Sequence, residues 1–276
     1  MTENLWPSGT RCPVTLTVDV DGMSVWLNRG PEFARLPSIC SMGEYGPNVG
    51  VPRILDLLDA EGVKATFFVP GFEAEHHPAL VRDILARGHE VAHHGYKHEH
   101  VWKLSPEAER EVFLRGLKAL QDVTGQTPRG WRAPGGEMSP HSIDLLAEHG
   151  FLYSSSQMGN DVPYPASERQ PEIVEVPIHW MLDDYSYFFY QPWVGAGAPP
   201  ATPDHAFAAF SAEFDGLYRF GRMFMVVMHP EITGRASRLT VLERIIRHAR
   251  SRPGVRFMRV VDLVETWVAT RAGGPR

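Results

Sequence analysis

The chain has 276 residues, 43% of them hydrophobic and 22% charged, with a formal charge of −6. That composition describes a globular domain with a sizeable core, and with no basic stripe interleaved with aromatics it excludes nucleic acid as a partner. Two cysteines are too few for a disulfide-stapled scaffold, and no window approaches eighteen apolar residues, so no membrane span is expected.

Residues 1–20, MTENLWPSGTRCPVTLTVDV, show no basic segment followed by an apolar one, so the expectation is a cytoplasmic protein. Strands are expected at Val14–Val20, Lys64–Gly71, His89–Gly95, Ile173–Leu182 and Phe224–Pro230, rich in β-branched and aromatic residues. Between them the 3.6-residue period predicts helices. Val51–Gly62 and His77–Gly88 each end on a glycine. Ser105–Gly125 and Ser139–Gly150 each open on Ser-Pro, an N-cap followed by a preset first turn. The basic residues between Arg235 and Arg259 fall at helical spacing and read as a solvated helix face. Strand–helix alternation from end to end predicts one domain, 1–276, built as a distorted (β/α) barrel with a parallel sheet. The irregular stretch Leu182–Asp204 is aromatic first and then rich in Gly and Pro. It holds six aromatics between Tyr185 and Trp193. Core packing, a subunit interface and a substrate lid are all open readings of it.

Gly88–His100, GHEVAHHGYKHEH, packs five histidines into thirteen residues. His89-Glu90-Val91-Ala92-His93 is formally H-E-x-x-H, the zinc-protease helix signature. It begins one residue after a helix cap and breaks at Gly95, which leaves too short a run for a helix, so the match is a coincidence. His94 and His98 share the same spacing. If His89–His94 is a barrel strand, His94 lies at its C-terminal end and His98 in the next loop, the face where barrel enzymes build their sites. A solvated histidine-rich loop is the competing reading. Strand alternation in VTLTVDVDG places Thr15, Thr17, Asp19 and Asp21 on one face. Two acids that close repel, unless one ligates a cation and the other stays free as a base. Asp21 with His94 and His98 makes a three-ligand set of the catalytic zinc type. His93 points to the opposite face, and His100 is expected to be solvated rather than a ligand.

These residues resemble the polysaccharide deacetylases, the NodB-homology proteins of carbohydrate esterase family four. The resemblance runs from about Pro13 to Val264. Thr17-Val18-Asp19-Val20-Asp21-Gly22 is similar to the family's T-F-D-D-G motif, with one residue inserted between the acids. That spaced form, with HGYKHE, WRAPGGEMS, MHPEI and GVPRILDLLDAEGVKATFFVPG, resembles an intracellular branch. The branch contains peptidoglycan-deacetylase-like proteins, a metal-independent allantoinase and cyclic imide hydrolases. The resemblance implies that Asp21, His94 and His98 hold a divalent metal, zinc by preference, although some members of the branch have lost theirs. It implies that Asp19 is the general base, Arg132 its partner and His229 the general acid. It also implies a homo-oligomer, a tetramer by analogy.

The chain departs from the family after R-x-P, where Gly135 and Gly136 replace the usual aromatic. The N–H of Gly135 can still serve an oxyanion. Glu137 and Tyr96 are the other residues expected around the substrate pocket, Glu137 with an exposed position as its alternative. The leading functional expectation is a metal-dependent hydrolase of a non-peptide C–N bond in a small soluble amide or cyclic imide. An N-deacetylase of peptidoglycan or GlcNAc polymers is the alternative, and a catalytically silent binding protein is the second.

Overall fold

A computed structural model describes residues 5–191, 196–197 and 200–272. Eleven strands are present among them: β1 (Cys12–Asp19), β2 (Thr66–Val69), β3 (Glu90–His93), β4 (Gly130–Trp131), β5 (Tyr153–Ser154), β6 (Tyr164–Pro165), β7 (Val174–Glu175), β8 (Tyr190–Gln191), β9 (Ala196–Gly197), β10 (Phe224–Met228) and β11 (Val255–Phe257). Nine form one sheet in the order β10-β1-β2-β3-β4-β5-β7-β6, with β11 beside the first residues of β1. Every pairing along β10 to β7 is parallel, and only β6 runs antiparallel. The sheet curls into the expected barrel type. One rung, Asp183 to Val227, joins the chain beyond β7 back to β10.

The core forms on both faces of β1, because all eight of its residues are buried. Val14, Leu16, Val18 and Val20 pack outward against helices such as Val51–Ala60 and Ala236–Arg250. Thr15, Thr17, Asp19 and Asp21 line the interior. Register then decides what stands beside them. Asp19 pairs with Phe68, Val69 with His93, and His93 with Trp131. The C-terminal ends of β1, β3 and β4 therefore present Asp19, His94 and Arg132 to one opening.

Three elements differ from the sequence expectation. The helical face expected over Arg235–Arg259 ends at Arg250, and Val255–Phe257 joins the sheet as β11. The strand expected over 173–182 ladders only at Val174–Glu175, because Pro177 lacks the N–H needed to continue. It then turns through a single 3₁₀ turn at Trp180–Leu182. The helix expected from Ser139 begins at Ser142. The hydroxyls of Ser139 and Ser142 both donate to the buried carboxylate of Glu109, the latter at 2.5 Å, and so hold the Ser-Pro turn open. In contrast, Ser105 caps the helix Pro106–Thr124 as expected, its Oγ accepting from Ala108 N, and Gly125 closes that helix at φ +68°.

The stretch 182–204 carries a short helix at Tyr185–Phe188 and the β8–β9 hairpin. Phe188 enters the core and Tyr190 is exposed, while Trp193 lies outside the described residues. No helix among the described residues is long and apolar enough to cross a membrane.

Candidate active site

The interior face of β1 ends in two carboxylates with different partners. Asp19 Oδ1 accepts from Arg132 Nη1 at 2.7 Å, and Oδ2 stands 3.9 Å from His94 Nε2. Arg132 is 2% exposed and fixed on every side. It donates to Thr17 Oγ1, to the Ser155 carbonyl and to Ser155 Oγ, and its guanidinium lies 4.0 Å over the Phe68 ring. A buried guanidinium with this many acceptors has one orientation, so the Asp19 carboxylate inherits one too.

Asp21 faces the histidines. Its two oxygens lie 3.4 Å from His94 Nε2 and 3.4 Å from His98 Nε2, and Oδ1 is buried without a hydrogen-bond partner. Two ligands held tetrahedrally at about 2.0–2.1 Å from one zinc ion stand about 3.3 Å apart. His94 Nδ1 lies 2.9 Å from the Arg132 carbonyl, which makes Nδ1–H the donor and leaves the Nε2 lone pair free. Burial alone would raise the Asp21 carboxyl. The neighbouring His98, contact with His94 and the nearby His229 outweigh it and hold the group well below the usual carboxylate range. Burial brings His98 down to about 4, with Asp21 opposing, so its ring is neutral, the form a metal requires. The donor set fits a divalent cation.

The loop that carries His98 is built for that placement. His98 has φ +58°, the only positive value at a non-glycine among the described residues. Gly95 turns at φ +71°, and Glu99 Oε2 accepts from Tyr96 N and Lys97 N at 3.1 and 2.7 Å, closing the turn. Behind it, a Cβ on Gly116 would stand 2.4 Å from the Gly95 carbonyl and 2.8 Å from His93 Nε2. Gly116→Ala is therefore expected to cost about 1–3 kcal/mol of stability and to weaken metal binding, as denaturant melts and metal titration would show. Unchanged metal affinity would mean that the loop is not held by this contact.

His229 ends β10. Its Nδ1 lies 2.7 Å from Asp184 Oδ1, its backbone N–H donates to Asp184 Oδ2 at 2.9 Å, and Thr233 Oγ1 donates to the same oxygen at 2.6 Å. Nε2 is turned inward, 3.9 Å from Asp21. Burial would lower this imidazole, but the Asp184 charge and hydrogen bond, with Asp183 and Asp21 behind them, raise it well above the ordinary histidine value. Beside it, burial pushes Asp183 up to about 7, His229 opposing and Asp184 reinforcing. The Tyr185 ring sits edge-on to His229 at 4.2 Å.

Asp19, Asp21, His94, His98, Arg132, His229 and Gly135 all line one cavity of about 250 Å³. Two expected pocket residues do not. Tyr96, swung outward by the Gly95 turn, donates its hydroxyl to Glu75 Oε2 at 2.8 Å and lies under the Arg115 guanidinium. Glu137 is exposed, and its Oε1 accepts from Met138 N. The missing aromatic after Arg132 is replaced in space. His100 stands 3.2 Å from where a Gly135 Cβ would be, and Trp180 stands 2.9 Å from that of Gly136. His100 lines the cavity without joining the Asp21–His94–His98 cluster. His93 packs against Phe113 and Phe151, and His89 accepts from Ala65 N, so neither member of the H-E-x-x-H match faces the site.

Asp183 and Asp184 escaped the sequence reading. The available signal was two adjacent acids inside the aromatic run WMLDDYSYFFY, where burial forces a partner on any charge.

The profile of the polysaccharide deacetylase family matches residues 37–154. That span holds the two histidines and Arg132 but neither acid of β1. A crystal structure from Mycobacterium smegmatis, assigned by name to the polysaccharide deacetylases, superposes with a TM-score of 0.93. It is 38% identical and covers 96% of this chain and 93% of that one. The chain belongs to the polysaccharide deacetylase family. It is accordingly a hydrolase of C–N bonds other than peptide bonds. A Helicobacter pylori peptidoglycan deacetylase is 28% identical over 92% of this chain and 96% of its own length. The crystal structure of PuuE allantoinase, also 28% identical, gives a TM-score of 0.84 and covers 98% of this chain and 94% of that one.

Proposed function

We propose that this family member hydrolyses an amide or cyclic imide bond in a small substrate, with zinc held by Asp21, His94 and His98. The observation that carries the small-substrate reading is the cavity. At about 250 Å³ it is small for a ligand pocket, and Tyr185, Trp180, Ile178 and Val25 wall it where a polymer would need an open groove. When bound, the metal supplies Lewis acidity that makes water nucleophilic near neutral pH. Asp19 Oδ2, the oxygen left free by Arg132, takes the proton of the attacking water. The Gly135 N–H faces the carbonyl oxygen as negative charge grows there. His229 Nε2 then delivers a proton to the departing nitrogen as the C–N bond breaks, leaving a carboxylic acid and an amine or, from a ring, an amic acid. Similarity to an allantoinase over the whole fold supports a ring amide.

The second reading, N-deacetylation of peptidoglycan, is favoured by the name of the Helicobacter relative. Zinc-loaded protein offered succinimide and GlcNAc oligomers separates the two. Ring opening supports the first reading, and acetate release without ring opening replaces it with the second. Metal binding has its own readout. Zinc added to chelated protein at about a hundredfold excess over its Kd should raise Tm by about 5–10 °C. The rise should vanish in His98→Ala, and a shift unchanged in that variant would place the metal elsewhere.

A further inference from the structure

The cavity carries a second recognition element at its mouth that the reaction does not use. Arg29 lines the same cavity as Asp19 and His94. Among the described residues its guanidinium has no carboxylate within ion-pair distance and donates no side-chain hydrogen bond. It is nevertheless held in place, 4.9 Å over the Trp26 ring and 6.0 Å over that of Phe189. Trp26 is buried, so the ring is a fixed platform rather than a mobile surface contact.

Charge is segregated along the cavity. The buried lining carries Asp19 paired with Arg132, Asp21 facing His94 and His98, and Asp183 beside His229, while the exposed Arg29 is a cation without a carboxylate partner among the described residues. Arg132, His229 and a bound cation offset those acids, so the charge left without a partner is that of Arg29, and an anion attached to the substrate would be drawn to it. A planar guanidinium with free N–H donors matches a carboxylate in two parallel hydrogen bonds. The geometry points to a substrate that carries a carboxylate: Arg29 binds that group at the mouth and orients the scissile carbonyl toward Asp19 and His229. This rests on the small-substrate reading above and narrows it to acidic amides or imides.

The test is calorimetric titration of zinc-loaded protein with glutaramate and with glutaramide, which differ in one end group, a carboxylate against a neutral amide. Wild-type protein should prefer glutaramate by about tenfold or more. Arg29→Gln should bring that ratio to within about twofold without changing glutaramide affinity, and Arg29→Lys should restore part of it. Arg29 is exposed and its contact with the Trp26 ring is a surface stack that the stems of Gln and Lys can retain, so the variants should fold and load zinc normally. The same ratio in Arg29→Gln, or no binding of glutaramate to wild-type protein, overturns the assignment. Failure of the functional reading looks different. Protein inert toward succinimide whose preference still collapses in Arg29→Gln keeps the carboxylate site and needs another C–N substrate. Succinimide opening with an unmoved ratio keeps the reaction and removes Arg29 from it.

Discussion

Asp19→Asn should lower kcat by on the order of 10²–10⁴ while zinc content stays at the wild-type level. The substitution is chosen for what it preserves. Asn keeps an oxygen where Oδ1 accepts from Arg132 at 2.7 Å, and it keeps the side-chain volume. It removes the negative charge and the basicity of Oδ2, which faces His94 from 3.9 Å. Arg132 is then buried without a counter-charge, although Thr17 Oγ1, the Ser155 carbonyl and Ser155 Oγ still accept from it. A stability loss of about 1–3 kcal/mol is expected from the weakened pair. The loss of kcat should therefore appear at temperatures well below the lowered Tm, with KM little changed, because the proton is taken only in the transition state. Activity within about twofold of wild type would remove Asp19 from the base role and turn attention to Asp183, the lining acid outside the Asp21–His94–His98 cluster.

The legible part of this site was the part that lies on regular strands. Alternation along VTLTVDVDG put Asp19 and Asp21 on one face and His94 at the end of its own strand, whereas Arg132 and His229 came only with the resemblance to the family. Tyr96 failed for a reason the period cannot carry. A left-handed Gly95 precedes it, and after such a turn the alternation no longer says which way a side chain points. Glu137 failed likewise, following Gly135 and Gly136 at φ +72° and +79°. Asp184 was hidden more deeply. It lies outside any ladder, in a turn before a short helix, and reaches His229 only because one rung joins residue 183 to Val227 across the mouth of the curl. Arg29 reads as an ordinary surface cation until Trp26 and the cavity are both in place.

Asp184→Asn is the complementary experiment on the acid side, and its signature is a displaced pH profile. The carboxylate of Asp184 is the leading cause that raises His229 against its burial. With the proton held on Nε2, a raised imidazole remains an acid at neutral pH and above, so activity should fall only on the far alkaline side. Replacing the carboxylate by an amide removes the charge that favoured imidazolium, while burial continues to disfavour it, so the His229 pKa must fall. The alkaline limb of kcat should therefore move to lower pH. At pH 8 the rate should drop by about tenfold to a hundredfold, with partial recovery at pH 6. The amide also leaves Thr233 Oγ1 and the His229 backbone N–H, which both donate to Oδ2, competing for one remaining acceptor. A merely structural role for Asp184 would lower the rate equally at every pH. A limb that stays in place would show that His229 does not supply the proton to the leaving nitrogen.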